Sequence, residues 1–238
     1  MADKALKHSG DTVYKIFSRI AVRYDFLNHF LSFGIDKLWR RKLRHLIKQN
    51  DPQALLDIAT GTGDMLMLLH NAEIKHLHGI DPVKPMLEKA RAKFKKRNIN
   101  DDIHLHPGFA ENLPFDTGSF DLANIVFGIR NFDDIDKSLS EIMRILTPGG
   151  SISILEFDMP GNRIIRTLYL FYLNKIIPFW GGLISGEKTA YTYLSKSIQA
   201  FSENTDVEIR LKQAGFSGTR SISLFFGIAR IYTGTKIK

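Results

Sequence analysis

Apolar residues at the front of the chain recur at helical spacing. From residue 54 onward they gather into short runs that alternate with amphipathic stretches. Val13, Ile16, Phe17 and Ile20 fall three or four apart, as on one helix face. Leu38, Leu43, Leu46 and Ile47 predict a second helix, which Pro52 cannot extend. Residues 54–59 then read as a buried strand, 64–70 as the start of a helix, and 75–81 as a second strand. Met86, Leu87, Ala90 and Phe94 form the next helical stripe. Ile103 and Leu105 share one face of a short third strand, and residues 120–127 are a fourth. Ile135, Leu139, Ile142 and Leu146 predict a helix, residues 147–150 a Pro-Gly turn, and 151–157 a fifth strand. Strands and helices alternating in this way predict an α/β fold with a parallel sheet covered on both faces.

The rhythm pauses at about 160–200, where large apolar and aromatic residues crowd together. Arg166, Asn174, Lys175 and Pro178 interrupt that run, so it predicts a helical insertion over one end of the sheet and not a membrane span. A helix at 206–214 and strands near 221–226 and 228–233 complete the pattern. The expected organisation is a helical lid over residues 1–50 and a main domain over 51–238 carrying the insertion.

Composition narrows the setting. The chain has 238 residues and no cysteine, which removes disulfides and thiolate metal sites and suits a reducing cytoplasm. No signal-peptide pattern and no run of apolar residues long enough to cross a bilayer is present. The net charge is +8, and residues 1–50 carry eleven Lys/Arg against four Asp/Glu. The densest stretch, KLWRRKLRHLIK, suits an anionic surface or a solvated helix face; no nucleic-acid-binding motif accompanies it. The histidines of HLH at 76–78 and 104–106 lack the converging ligands a metal needs, so no metal site is expected.

The candidate ligand loop is LLDIATGTGDMLMLL, residues 55–69, where Gly61 and Gly63 join the first strand to its helix. In open parallel sheets, ligands sit beyond the carboxyl ends of strands where the strand order reverses. A nucleoside-triphosphate loop would end in Gly-Lys-Ser/Thr, which is absent. A dinucleotide fingerprint needs a third glycine at 66, where Leu66 stands. A nucleoside without phosphates, such as S-adenosylmethionine, instead suits nearby carboxylates. Asp57 and Asp64 could serve a sulfonium and an amino group, and Asp81 the two ribose hydroxyls. The same residues also fit plainer roles, with Asp64 capping a helix and Asp81 opening a turn before Pro82.

This loop occurs with FSRIAVRYDFLNHFLSFGIDKLW, AENLPF with SFD, FGIRNFDD, RILTPGGSISILEF and YTYLSKSIQAF, in that order. Together they resemble the C-methyltransferases of menaquinone and ubiquinone biosynthesis, a branch of the class I S-adenosylmethionine-dependent methyltransferases. The resemblance implies a Rossmann-like fold: a mostly parallel seven-stranded sheet with helices on both faces, an N-terminal helical lid, and a helical insertion before the last two strands. Residue by residue, Thr62 and Asp81 match the family's cofactor contacts, and Ala110 matches half of an adenine-contacting pair. The other half, Asn or Asp in the family, is here Phe109. Val126 stands where Ser is frequent, and Asp36 where His is usual. Asp57, Thr62, Gly61, Gly63, Asp81, Phe109, Ala110 and Val126 form the candidate cofactor set.

The resemblance further implies Arg130 and Asn131 of FGIRN, and Tyr24 of the front motif, as catalytic residues. A ring carbon of a quinol becomes nucleophilic once its hydroxyl loses a proton, and a fixed cation favours that loss. Arginine holds its own proton, so Arg130 is expected to stabilise the phenolate and orient a water. The plainer reading pairs Arg130 with Asp133 or Asp134. The expected acceptor is a prenylated quinol, demethylmenaquinol first and a polyprenyl-benzoquinol second, with another small acceptor as the rival. An oily acceptor would explain both the aromatic insertion and the basic front as peripheral contact with the inner face of a bacterial membrane. A homodimer interface is the alternative use of the insertion, and no nucleic-acid partner is expected.

Overall fold

The computed structural model describes residues 10–21, 29, 32–72, 74–185 and 188–237. Strands β1 (Ala54–Ile58), β2 (His76–Asp81), β3 (Ile103–Pro107), β4 (Phe120–Val126), β5 (Leu146–Phe157), β6 (Phe216–Leu224) and β7 (Ala229–Lys236) form one sheet in the order β3-β2-β1-β4-β5-β7-β6. β1 to β5 run parallel, and β7 is antiparallel to both β5 and β6. The chain winds outward from β1 to β3, then returns to lay β4 on the other side of β1. That reversal opens a crevice at the carboxyl ends of β1 and β4.

Helices cover both faces, as the alternation predicts. α1 (Gly10–Ile20) and α2 (Ile35–Gln49) precede the sheet. α3 (Asp64–His70) and α4 (Lys84–Lys96) follow β1 and β2, α5 (Ile135–Ile145) follows β4, and α9 (Val207–Gln213) leads into β6. One face buries Leu55, Leu122 and Leu155 against Leu43 and Ile47 of α2, Leu66 of α3 and Phe94 of α4. The other buries Leu56, Ile125 and Ile154 against Leu139 and Ile142 of α5 and Leu211 of α9. Each such fully buried side chain stabilises the fold by about 1.5–3 kcal/mol.

Three sequence expectations need correction. The buried stripe of α2 is Trp39, Leu43 and Ile47, one helical turn apart, whereas Leu38 lies one residue out of phase and is exposed. Leu146 does not end α5; it pairs with Phe120 and starts β5. Residues 147–150 then bulge within that strand, because the register shifts between Phe120 and Leu122. The last two strands are longer than expected. β6 begins at Phe216, where a register shift between Ser217 and Arg220 disguises the alternation, and β7 runs to Lys236.

The insertion is helical throughout its described part. α6 (Arg163–Phe171) starts at Asn162, whose Oδ1 accepts from the amides of Ile164 (2.9 Å) and Ile165 (3.3 Å). It runs through a π turn (Tyr172–Ile176) into α7 (Ile177–Ser185), and α8 (Lys188–Asn204) packs back against α7. The π turn has a local cause. Pro178 has no N–H for the carbonyl of residue 174, so the helix widens just before it. Gly181 lets α7 and α8 meet, since a Cβ there would lie 2.4 Å from the Tyr191 ring.

At the sheet's other edge His78, His104 and His106 pack together, with His78 Nδ1 3.0 Å from His106 Nε2. Burial, with help from the neighbouring imidazoles, pushes His78 down to about 4, so it is neutral at pH 7. Among the described residues, no helix is long and apolar enough to cross a membrane.

Candidate active site

The two strands that flank the crevice end in the same unusual way. β1 ends at Ile58 and the backbone turns at Ala59 (φ 55°); β4 ends at Val126 and turns at Phe127 (φ 57°). A left-handed conformation in a residue with a Cβ costs about 1–2 kcal/mol, and such strain collects at functional sites. The glycine loop follows Ala59. Gly61 (φ 57°) has open space where a side chain would start, and Gly63 (φ 77°) packs its Cα side against the Phe94 ring.

A cavity of about 100 Å³ lies against this loop. Gly61, Asp81, Phe109, Ala110, Val126 and Asn131 line it, so five of the expected cofactor residues and one expected catalytic residue meet there. Asp81 is the polar anchor. Its Oδ2 accepts from the Gly61 amide and its Oδ1 from the Val83 amide, both at 2.8 Å. Each carboxylate oxygen has a further lone pair for a ligand hydroxyl. Burial raises Asp81 to about 6, while those two amides pull the other way. The described wall carries Asp81, Glu111 and Asp133 but no Lys or Arg. That acceptor set suits a cationic nucleoside better than a pyrophosphate. Phe109, half exposed at the rim, offers a ring face where the family offers an amide or acid.

Three residues of the expected cofactor set stand back from this wall. Asp57 is buried behind the loop, where its oxygens accept from Thr60 Oγ1 (2.7 Å) and Asn124 Nδ2 (2.6 Å). Burial raises it to about 6. Thr62 accepts from Lys93 Nζ at 3.1 Å, and Gly63 shapes the entry to α3. Asp64 does not cap α3; it pairs with Lys93, and His29 Nε2 lies 3.6 Å away. His29 Nδ1 lies 2.8 Å from Asp36, so these acids tie the glycine loop to the N-terminal segment.

A larger cavity of about 280 Å³ lies between the insertion, α1 and α2. Its wall is apolar and aromatic, with Phe33, Trp39, Phe157, Leu168, Tyr172 and Leu194 among its members. The charged exceptions are Asp36 and Arg40 of α2 and, on the sheet side, Arg130, which sits on a 3-10 turn (Ile129–Asn131) just past β4. Arg130 Nη1 donates to Glu156 Oε1 (2.6 Å) and to the Phe127 carbonyl (2.7 Å), and its guanidinium lies 5.5 Å from the Phe157 ring centre. Burial raises the Glu156 carboxyl, and the Arg130 charge opposes that. Glu156 was missed in the sequence; it lies inside the quoted SISILEF motif, as an acid in an otherwise apolar buried strand.

Phe17 and Phe127 line both cavities, which makes them the seam between the two. Phe127 is fixed there by stacking on Phe157 (4.4 Å) and by the edge of Trp39 (6.3 Å). Asn131 faces the smaller cavity and accepts at Oδ1 from Tyr193 Oη (2.8 Å), a residue of α8 that lines the larger one. Tyr24 lies outside the described residues.

The family model of the ubiE/COQ5 methyltransferase family matches residues 4–236. The chain is 42% identical over 222 residues to a demethylmenaquinone methyltransferase of Thermus thermophilus, covering 93% of this chain and all of that one. It is 41% identical over 234 residues to a ubiquinone/menaquinone biosynthesis C-methyltransferase of Geobacter, covering 98% and 99%. Among solved structures, a SAM-dependent methyltransferase of Aquifex aeolicus aligns with a TM-score of 0.53 at 15% identity, over 78% of this chain and 82% of that one. A [4+2]-cyclase aligns with a TM-score of 0.62 at 14% identity, over 96% and 97%. At such identities the structures speak for the fold alone, and the cyclase shows that this fold also carries other chemistry.

Proposed function

This chain belongs to the ubiE/COQ5 methyltransferase family, and we propose that it methylates a ring carbon of a prenylated quinol, demethylmenaquinol first, with S-adenosylmethionine as donor. One observation carries the reading: an acidic cavity at the glycine loop and a mainly apolar cavity that holds the buried Arg130 guanidinium share a wall at Phe127. Two reactants brought to opposite sides of one residue are positioned for a displacement whose main demand is alignment and exclusion of water.

The proposed residue roles follow from placement. Asp81 and the Gly61 turn hold the nucleoside, with Phe109 and Ala110 at the base. When bound, the cofactor supplies an electrophilic methyl group on a cationic sulfur. Arg130 stabilises the ring oxygen as its proton passes to a water that the guanidinium orients, since a fixed cation favours the charged form of a nearby acid. Glu156 keeps that guanidinium oriented. Asn131 contacts the reactants at the seam, and Tyr24 is assigned to the acceptor side on family resemblance. The apolar wall shelters the prenyl tail.

We extend the proposal to peripheral membrane contact. Ile164, Leu168 and Phe171 form an outward apolar stripe along α6, continued by Phe179 and Leu183 on α7, and Leu168 also lines the larger cavity. A tail in that cavity would then open onto the bilayer. Anionic liposomes should sediment the protein and raise turnover of a long-tailed quinol. Failure of both, or a dimer burying the stripe in sedimentation equilibrium, overturns the extension.

The decisive assay uses the purified chain, S-adenosylmethionine with a labelled methyl group, and a panel of reduced acceptors. Label should enter demethylmenaquinol in preference to a polyprenyl-benzoquinol, and phenolic acids should stay unlabelled. A preference for the benzoquinol would move the substrate to ubiquinone synthesis; label in neither quinol would overturn the function.

A further inference from the structure

Helix α8 carries the one motif that the site description leaves without a purpose, YTYLSKSIQAF, and its second tyrosine is Tyr193. Tyr193 lines the larger cavity while its hydroxyl crosses the seam to Asn131 Oδ1 at 2.8 Å. The two residues are sixty-two positions apart, one on the sheet's own 3-10 turn and the other on the insertion. Asn131 has its backbone fixed already, because its amide donates to the Gly128 carbonyl at 2.9 Å. Only the rotation of its carboxamide is left to be set. A phenol hydroxyl donating to the carbonyl end sets it, and turns the amide –NH₂ end away from Tyr193.

We infer that Tyr193 is a positioning residue: it fixes the carboxamide of Asn131 at the seam, and so couples occupancy of the acceptor cavity to the geometry of the donor cavity. The inference rests on the methyl-transfer reading above and deepens it. Burial raises the Tyr193 phenol above its ordinary value while Arg130 opposes the rise, so the group is a neutral donor at pH 7. α8 also supplies Ala190, Tyr191 and Leu194 to the acceptor wall. A ligand that shifts α8 therefore shifts the hydroxyl that orients Asn131.

The test is Tyr193→Phe in the full chain, which keeps the ring and removes only the hydroxyl. The turnover number on a short-tailed demethylmenaquinol should fall tenfold or more, while the Kd for S-adenosylhomocysteine stays within twofold. In an Asn131→Ala background the same change should cost less than twofold, because nothing remains to be oriented. A hydroxyl serving stability alone would lower the melting temperature and leave the turnover of the folded enzyme unchanged. The inference is overturned if Tyr193→Phe keeps turnover within twofold, or if its penalty is undiminished in the Asn131→Ala background. If the wild-type chain methylates no quinol at all, the functional reading fails, and this inference fails with it.

Discussion

Glu156 holds Arg130 from within the sheet: Oε1 lies 2.6 Å from Nη1, and neither side chain has more than 3% of its surface in contact with solvent. The pair joins the end of β5 to the 3-10 turn after β4, so the Arg130 guanidinium of the larger cavity is anchored in the core. Removing one partner from a buried pair leaves an uncompensated charge, which costs about 3–5 kcal/mol. Glu156→Leu should therefore lose about that much stability in urea unfolding. The double variant Glu156→Leu with Arg130→Met should recover part of the loss. A loss in the double variant equal to the sum of the losses in Glu156→Leu and Arg130→Met alone would mean that the pair is not coupled.

Arg130→Lys keeps the charge but replaces the planar guanidinium, whose Nη1 donates to both Glu156 and the Phe127 carbonyl, with a compact ammonium on a shorter reach. The expected outcome is a fall in turnover of at least about tenfold, or roughly 1.4 kcal/mol in the barrier, with donor affinity unchanged. Steady-state kinetics beside calorimetric titration of S-adenosylhomocysteine separates the two effects. Full turnover in the lysine variant would remove Arg130 from its assigned role.

Asp81 sets a pH dependence with a definite sign. Its folded carboxyl is raised to about 6, so it protonates as pH drops below that value and can no longer accept from ligand hydroxyls through both oxygens. Affinity for S-adenosylhomocysteine should be flat above pH 7 and weaken as pH falls through 6 toward 5. For stability the sign is opposite to that of a salt-bridged acid. The folded state binds the proton more tightly than the unfolded chain, so this group's contribution worsens as pH rises from about 4 to 6 and is constant above. Asp81→Asn should lower the affinity and flatten its pH profile. A variant with the wild-type profile would assign the titration to another group.

Gly181→Ala tests the insertion separately from the sheet. Its Cβ would lie 2.4 Å from the Tyr191 ring, so α7 and α8 must separate. Overpacking of this kind costs about 1–3 kcal/mol. The KM for the acceptor should rise severalfold and the donor Kd should change far less, because no described residue of the insertion lines the smaller cavity and Tyr193 reaches it only through Asn131. Equal damage to both constants would show that the insertion and the sheet domain do not act separately.

The parts of this molecule that could be read from the sequence share a physical origin: local periodicity and local turn chemistry. The strands with continuous apolar runs, such as residues 120–126, and the stripes of α4 and α5 announce themselves because burial on one face dictates residue type. What was misread is where that dictation weakens. Leu38 suggests a buried face, but Trp39 fills it, because which of two adjacent apolar residues faces inward depends on the neighbouring sheet. The start of β6 is hidden by the polar residues of an edge strand with a register shift. In the site, the loop residues and Arg130 stand on motifs, whereas Glu156 and Tyr193 acquire meaning only through partners twenty-six and sixty-two residues away. Asp57 shows another limit. Its motif invites a ligand role, and only the fold shows that its oxygens also accept from Thr60 and Asn124.

The π turn before Pro178 also sets how this chain can vary in length. A widened turn holds one residue more than a regular one, so the segment from Tyr172 to Ile176 carries one residue in excess of an ordinary helix. Deleting a single residue there would restore ordinary helical pitch and leave the downstream phase nearly unchanged, whereas the same deletion from a regular helix would rotate everything after it by about 100°. Phe179 and Trp180 would keep their side, and Gly181 would still face Tyr191. The insertion therefore has one place where the loss of a residue can be absorbed, and that place is this turn.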